Sequence, residues 1–185
     1  MAGFVPDASA TMPWRFEDEA TPWTEALLDR IQGGEEVLVP AHWPLEVVNA
    51  LLSARRRGRI TAEQMSEFID DLAALPIRLE PPSGPAQWPT IVALAEKHRL
   101  TAYDAAYLDL VRRTGLPLAT LDDDLRNAAR VEGVASSKGL RAHAEESSPA
   151  GGPCGQPPFP GRVVCCRATS AWREPSSLRW ACRCA

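Results

Sequence analysis

Between Phe4 and Leu121 the chain alternates short apolar runs with longer segments whose apolar residues return every three or four positions. Phe4-Val-Pro6, Val37-Leu-Val39, Ile77-Arg-Leu79 and Leu116–Leu121 are too short for helices and read as strands. The segments between them carry helix signals. One helical stretch lies around Ser9–Phe16, and Thr21-Pro22 opens a second helix that ends at Gly33-Gly34. A third starts near Trp43, presents Leu45, Val48, Leu51 and Leu52, and stops at Gly58. Thr61-x-Glu63-Gln64 is a capping box for a fourth, with Met65, Phe68, Ile69, Leu72 and Leu75. Ile91, Leu94 and Ala95 mark a fifth that ends near Arg99; Thr101 opens a sixth, ended by Gly115, and Asp122 a short last one. Strands separated by helices join in parallel, because a parallel pair needs a crossover too long for a hairpin. The pattern predicts an α/β domain of three layers, α/β/α, around a mainly parallel sheet.

The pattern stops near Glu145. From Ser147 to Gly161 Pro, Gly and Ser dominate, and neither a helix nor a central strand survives that spacing of prolines. All five cysteines lie beyond residue 150, and the acidic surplus of the first part gives way to a basic one. Residues 1–144 are therefore expected to form the domain, and 145–185 a disordered or non-native tail. Cys165-Cys166 and Cys182-x-Cys184 lack zinc-knuckle spacing. With no cysteine before residue 150, no disulfide or thiolate chemistry is available to the domain, which suits a reducing compartment. No apolar run approaches the roughly 20 residues of a membrane span, and Met1–Ala10 does not read as a signal peptide. A cytoplasmic protein with no membrane association is the expectation. A net charge of −4 argues against gripping nucleic acid by bulk positive charge, and leaves room for an acidic cleft neutralised by metal.

Ligands of open parallel sheets bind beyond the carboxyl ends of the strands. Asp7 follows the first strand directly and Asp122 the last. Glu46 falls in the first turns of the helix after the second strand, and Asp104 in the first turn of the helix before the last strand. Each has a purely structural explanation: Asp7 as a turn residue, Asp104 as part of a capping box with Thr101, Asp122 as an N-cap. Glu46 is harder to dismiss, because it interrupts an apolar run. Four carboxylates in one cleft raise one another's pKa, and a hard cation such as Mg²⁺ or Mn²⁺ with oxygen ligands removes the conflict. Such a centre can activate water against a phosphodiester.

Four segments carry a resemblance to a known family: Phe4-Val-Pro-Asp7-Ala-Ser9, Pro40-Ala-His-Trp-Pro-Leu-Glu46-Val-Val-Asn49, Leu100-Thr-Ala-Tyr-Asp104-Ala-Ala-Tyr107 and Leu118-Ala-Thr120-Leu-Asp122. In order and spacing they resemble the PIN-domain family and, within it, the VapC-type toxins of toxin–antitoxin pairs. The resemblance spans about residues 3 to 134. It implies a metal-dependent endoribonuclease using Mg²⁺ or Mn²⁺, with Asp7, Glu46, Asp104 and Asp122 as metal ligands and catalytic residues. Ser9, Asn49 and Thr120 match the polar positions that support the acids. The resemblance also implies an RNA substrate, a homodimer and a small VapB-like antitoxin. Pro6 departs from the pattern, standing where an aliphatic residue is usual, and Val134-Ala-Ser-Ser137 makes a poor final strand.

Other residues compete for roles. Asp124 is a candidate for a second metal, and Asp109, five residues beyond Asp104, is expected on a solvated helix face. Arg55-Arg-Arg57-x-Arg59 reads first as a helix end favoured by the dipole and second as a phosphate contact. Tyr103 and Tyr107 are candidates for base stacking, Tyr107 more naturally for the core. Trp14, Trp23, Trp43 and Trp88 divide between the core and a dimer or antitoxin groove, and His42 and His98 read as surface residues. Two other functions stay open. Asp7-Ala-Ser9-Ala-Thr11 resembles the aspartyl loop of a haloacid-dehalogenase-like phosphatase, although Ser9 replaces the second acid and neither Lys97 nor Lys138 is well placed. A catalytically inactive PIN-fold module that binds RNA or protein is the other.

Overall fold

The computed structural model describes residues 3–81 and 84–135; the tail expected from residue 145 lies outside the described residues. Four short strands run in parallel: β1 (Val5–Pro6), β2 (Val37–Pro40), β3 (Ile77–Glu80) and β4 (Leu118–Ala119). Between them come α1 (Ala8–Thr11), a 3₁₀ turn (Met12–Trp14), α2 (Pro22–Gln32), α3 (Trp43–Arg56), α4 (Ala62–Ala74), α5 (Trp88–His98) and α6 (Ala102–Thr114), with α7 (Asp123–Val131) after β4. The helix starts and stops follow their caps. Thr61 and Gln64 form the expected capping box, and Gly115, at φ 71°, ends α6 in the left-handed conformation that glycine adopts without strain.

The parallel sheet is built from two paired halves. β1 pairs with β4, and β2 with β3, while one bridge, Phe4 to Val37, joins the two halves in the order β3-β2-β1-β4. That bridge consists of Phe4 N–H to the Glu36 carbonyl at 3.1 Å and Leu38 N–H to the Phe4 carbonyl at 3.2 Å. In this register the next two donors belong to residues 6 and 40, and both are proline. The ladder between β1 and β2 therefore ends after one rung. The outward side of β1 is unaffected: Val5 N–H donates to the Pro117 carbonyl at 2.9 Å and Asp7 N–H to that of Ala119 at 3.0 Å. Pro6 thus leaves Asp7 tied to β4. Gly3 lets the chain enter β1, because a Cβ there would collide with the Glu36 carbonyl.

The last strand is shorter than the expected Leu116–Leu121, and among the described residues the segment after Gly133 adds one bond to it, Leu118 N–H to the Ala135 carbonyl at 3.0 Å. The core lies on the sheet: Phe4, Val5, Leu38 and Val39 from the strands, Val47 and Leu51 from α3, Leu108 and Val111 from α6, and Leu125 from α7. Each such side chain, fully buried, stabilises the fold by about 1.5–3 kcal/mol. Trp14 and Trp43 are buried too, whereas Trp88 is exposed. Asp109 corrects an expectation. It is buried rather than solvated, since its face of α6 meets the protein, and Arg113 one turn on satisfies it at 2.8 Å.

Candidate active site

The strand ends place the first acid. Asp7 leaves β1 on its bond to Ala119 and caps α1, taking Ala10 N–H at 2.9 Å. Ser9 Oγ donates to its carboxylate, 2.7 and 2.9 Å from the two oxygens, and Thr120 Oγ1 donates at 2.6 Å from the end of β4. Both hydroxyls also accept from the backbone of the β4–α7 corner, Ser9 across the seam from Leu121 N–H at 2.8 Å and Thr120 on its own side from Asp122 N–H at 2.9 Å. Ser9 and Thr120 therefore fasten the β1–α1 corner to the β4–α7 corner, with the Asp7 carboxylate at the seam. Burial pushes the Asp7 pKa up against the pull of these hydrogen bonds, and the nearby charge of Asp122 raises it further.

Glu46 stands in the first turn of α3, half-buried, and accepts the Tyr107 hydroxyl at 2.5 Å. Its pKa is also raised, by burial first and then by the charges of Asp104 and Asp7, while the Tyr107 bond acts in the opposite sense. Tyr107 itself is held above its usual pKa by burial and by that bond, so it remains a donor. Asp104, in the first turn of α6, takes the Thr101 hydroxyl at 2.6 Å. Asp122 is exposed and caps α7 through Leu125 N–H at 2.8 Å. The structural explanations of Asp104 and Asp122 hold, and both residues also press their charge on the other acids.

The charge of Asp122 raises the pKa of Asp7, and the charges of Asp104 and Asp7 raise that of Glu46. No ion pair among the described residues involves any of the four. An all-oxygen, anionic donor set of this kind fits a hard divalent cation such as Mg²⁺ or Mn²⁺. Among the described residues no three acidic, histidine or cysteine side chains stand close enough together to hold one ion. A shared ion therefore requires Glu46, Asp104 and Asp122, all at least partly exposed, to close on the fixed Asp7.

The model of one family, described as PIN domain, matches residues 4–131. The chain belongs to the PIN-domain family. Its similar relatives include Ribonuclease VapC3 of Pyrobaculum aerophilum, 31% identical over 121 residues, which cover 65% of this chain and 90% of that protein. Ribonuclease VapC12 of Mycobacterium tuberculosis is 30% identical over 125 residues, covering 65% and 88%. A crystal structure of a protein from Pyrobaculum aerophilum shares the fold, with a TM-score of 0.54 at 20% identity, over 75% of this chain and 92% of that one.

Around the acids this PIN domain has two residues whose positions the sequence reading missed. Tyr107 is in the core as expected, yet its hydroxyl reaches Glu46; the signal was its place three residues after Asp104, on the same face of α6. His42 is not on the surface. Its ring is half-buried, edge-on to Tyr107 at 5.1 Å and tilted against Tyr103 at 5.4 Å, and burial holds its pKa below the ordinary value. His98 is likewise no free surface residue, since it meets Glu132 at 2.7 Å. Asn49 is exposed, in a cavity of about 430 Å³ that also takes in Glu46, Ser53 and Arg57. Arg59 lines the same cavity but is committed to Asp18 and Glu19. Asp123 pairs with Arg126, and Asp124 is exposed.

Proposed function

We propose that this PIN domain is a metal-dependent endoribonuclease, the toxin of a VapBC-type toxin–antitoxin pair, with Asp7, Glu46, Asp104 and Asp122 as the ligands of Mg²⁺ or Mn²⁺. The observation that carries the reading is that Asp7, at the end of β1, and Glu46, in the first turn of α3, are held above their ordinary pKa by burial and by the charges of their acidic neighbours, Asp122 on Asp7 and Asp104 and Asp7 on Glu46, with no ion pair among the described residues to any of the four. The relatives named as ribonucleases supply the substrate class.

Bound there, the cation would supply a water of lowered pKa and positive charge for the phosphate oxygens. The protein's own contribution is positioning. Ser9, Thr120 and the Ala10 amide fix the Asp7 carboxylate, and Tyr107 fixes Glu46. Water oxygen attacks phosphorus in line, the bond to the 3′ oxygen breaks, and the products carry a 5′-phosphate and a 3′-hydroxyl. The groove past Glu46 with Asn49, Ser53 and Arg57 offers polar contacts to the RNA backbone. In the same proposal residues 1–144 are the nuclease domain and the tail is separate from it. The protein works in the cytoplasm as a homodimer and is silenced by a VapB-like antitoxin. No helix among the described residues is long and apolar enough to cross a membrane.

The phosphatase alternative loses ground. Ser9 stands where a second acid is needed and is spent on the Asp7 carboxylate, and Lys97 is engaged by Glu132. The inactive-module alternative is opposed by the presence of all four acids. The test is RNA cleavage as a function of metal. Excess EDTA should abolish cutting, and Mg²⁺ or Mn²⁺ should restore it with 5′-phosphate ends. Release of inorganic phosphate from small phosphomonoesters, with RNA left intact, would favour the phosphatase.

A further inference from the structure

A second cavity of about 430 Å³ lies between the carboxyl ends of β2 and β3 and the helices α5 and α6. Its volume falls in the roughly 300–1,000 Å³ range of small-ligand sites. His42, Glu80, Trp88, Val92, Tyr103 and Arg113 line it over a mostly apolar floor. Two aromatic residues of its lining are largely exposed, Tyr103 at 61% and Trp88 at 60%. Large aromatic residues so exposed beside a concavity mark a binding surface rather than a core. His42 adds a polar signal. Its Nε2 is shut off from solvent and has no hydrogen-bond partner among the described residues. Such an atom costs stability unless something supplies its partner. Glu80 and Arg113 pair at 3.1 Å on the same lining. None of the four acids lines the cavity, but it lies next to Asp104: Tyr103 immediately precedes that residue, and the Asp104 charge acts on His42.

We infer that this cavity is a nucleobase subsite: it takes one unstacked base of the RNA strand next to the cut, laid on the Tyr103 ring, with the His42 ring turning to bring its sealed Nε2 to the base edge. The inference rests on the ribonuclease reading for its substrate class. Single-stranded RNA is recognised in this way, by stacking on aromatic side chains and by polar contacts to base edges. An apolar patch from a second copy of the chain would cover Trp88 and Val92 equally well but would leave the His42 nitrogen unpaired. A base satisfies both features.

The test uses the full chain and short single-stranded oligoribonucleotides, one of them abasic at the nucleotide flanking the cut. Tyr103→Ala should raise KM on intact RNA about 10-fold, the loss of one stacked base, with kcat little changed. Tyr103→Phe, which keeps the ring, should restore the wild-type KM. The abasic substrate should weaken the wild type by a similar factor and Tyr103→Ala hardly further. His42→Phe should flatten the preference among bases at that position while retaining stacking. An unchanged KM for Tyr103→Ala overturns the inference, as does a full Tyr103→Ala effect on the abasic strand. Light scattering showing that the variant has lost self-association, with the KM change following the loss, assigns the cavity to a second copy instead. If the wild type does not cut RNA, the nuclease reading fails by itself. The subsite is then decided by fluorescence anisotropy with the same strands in EDTA, where equal affinities of wild type and Tyr103→Ala refute it.

Discussion

Asp7 is the most constrained of the four acids, and its burial has a consequence for stability. With folded-state pKa values raised above the unfolded ones, Asp7 and Glu46 bind more protons in the folded protein, so their ionisation weakens the fold as pH rises. Metal-free protein should therefore gain stability from these two groups as pH falls from 7 toward their unfolded values near 4. His42, held low by burial, contributes the opposite slope below about pH 6.5. The carboxylates' share is the difference in melting temperature between the wild type and an Asp7→Asn, Glu46→Gln double variant across that range. The gap in favour of the double variant should be widest at pH 7 and close toward pH 4, and saturating Mn²⁺ should stabilise only the wild type. A gap independent of pH would count against the account. Tyr107→Phe keeps the core ring and removes the 2.5 Å bond to Glu46. It should cost about 1 kcal/mol of stability and reduce the cleavage rate roughly tenfold, on the order of 1.4 kcal/mol in the barrier. A rate equal to wild type would show that Glu46 needs no positioning.

At the scale of elements, much was legible. Thr61-x-x-Gln64, Gly115 and the Asp122 cap announce their helices locally, through groups within four residues of one another. The places of the four acids were also legible, because strand ends and helix starts fix where such residues fall: Asp7 and Asp122 cap α1 and α7, and Glu46 and Asp104 stand in the first turns of α3 and α6. What local patterns do not carry is the meeting of distant elements. The Tyr107 bond to Glu46 spans 61 positions, and the Thr120 bond to Asp7 spans 113. The split of the sheet was half visible: Pro6 and Pro40 are plain in the sequence, but that they fall on the same two rungs requires the register. His98 and Glu132 escaped for the same reason. Glu132, after α7, meets Lys97 and His98 of α5 at 2.7 Å and faces Arg112 of α6 at 3.3 Å, and the hydrogen bonds of Lys97 and His98 with the charges of Lys97 and Arg112 hold its pKa down to about 2. The stability that Glu132 contributes is present above its unfolded value near 4.3 and lost as pH falls toward 2. Glu132→Gln should lower stability by about 1–2 kcal/mol at neutral pH and leave cleavage unchanged. Urea denaturation reads the first and a cleavage assay the second; an unaltered midpoint would mean the cluster is solvated rather than clamping.

For the whole molecule, the family match ends at residue 131, well before the composition change at residue 145. A chain ending at Glu145 is expected to keep the melting temperature and Mn²⁺ affinity of the full chain. A large drop in either would make the tail part of the domain. Co-expression with a cognate antitoxin should raise soluble yield and suppress cleavage, and failure of any small partner to do so would favour a nuclease without a silencer. The central claim, that the acids act together on RNA through a metal, is tested most directly by the cleavage rate of Asp104→Asn beside the wild type. Asparagine can still accept the Thr101 hydroxyl, and the Thr101 cap of α6 does not depend on the charge. The variant should therefore fold as the wild type does, with a melting temperature unchanged or raised by relief of repulsion at Glu46. Its rate should fall roughly 100-fold or more, about 3 kcal/mol in the barrier. Undiminished cleavage by Asp104→Asn, in a protein that cuts RNA, would contradict the four-carboxylate centre.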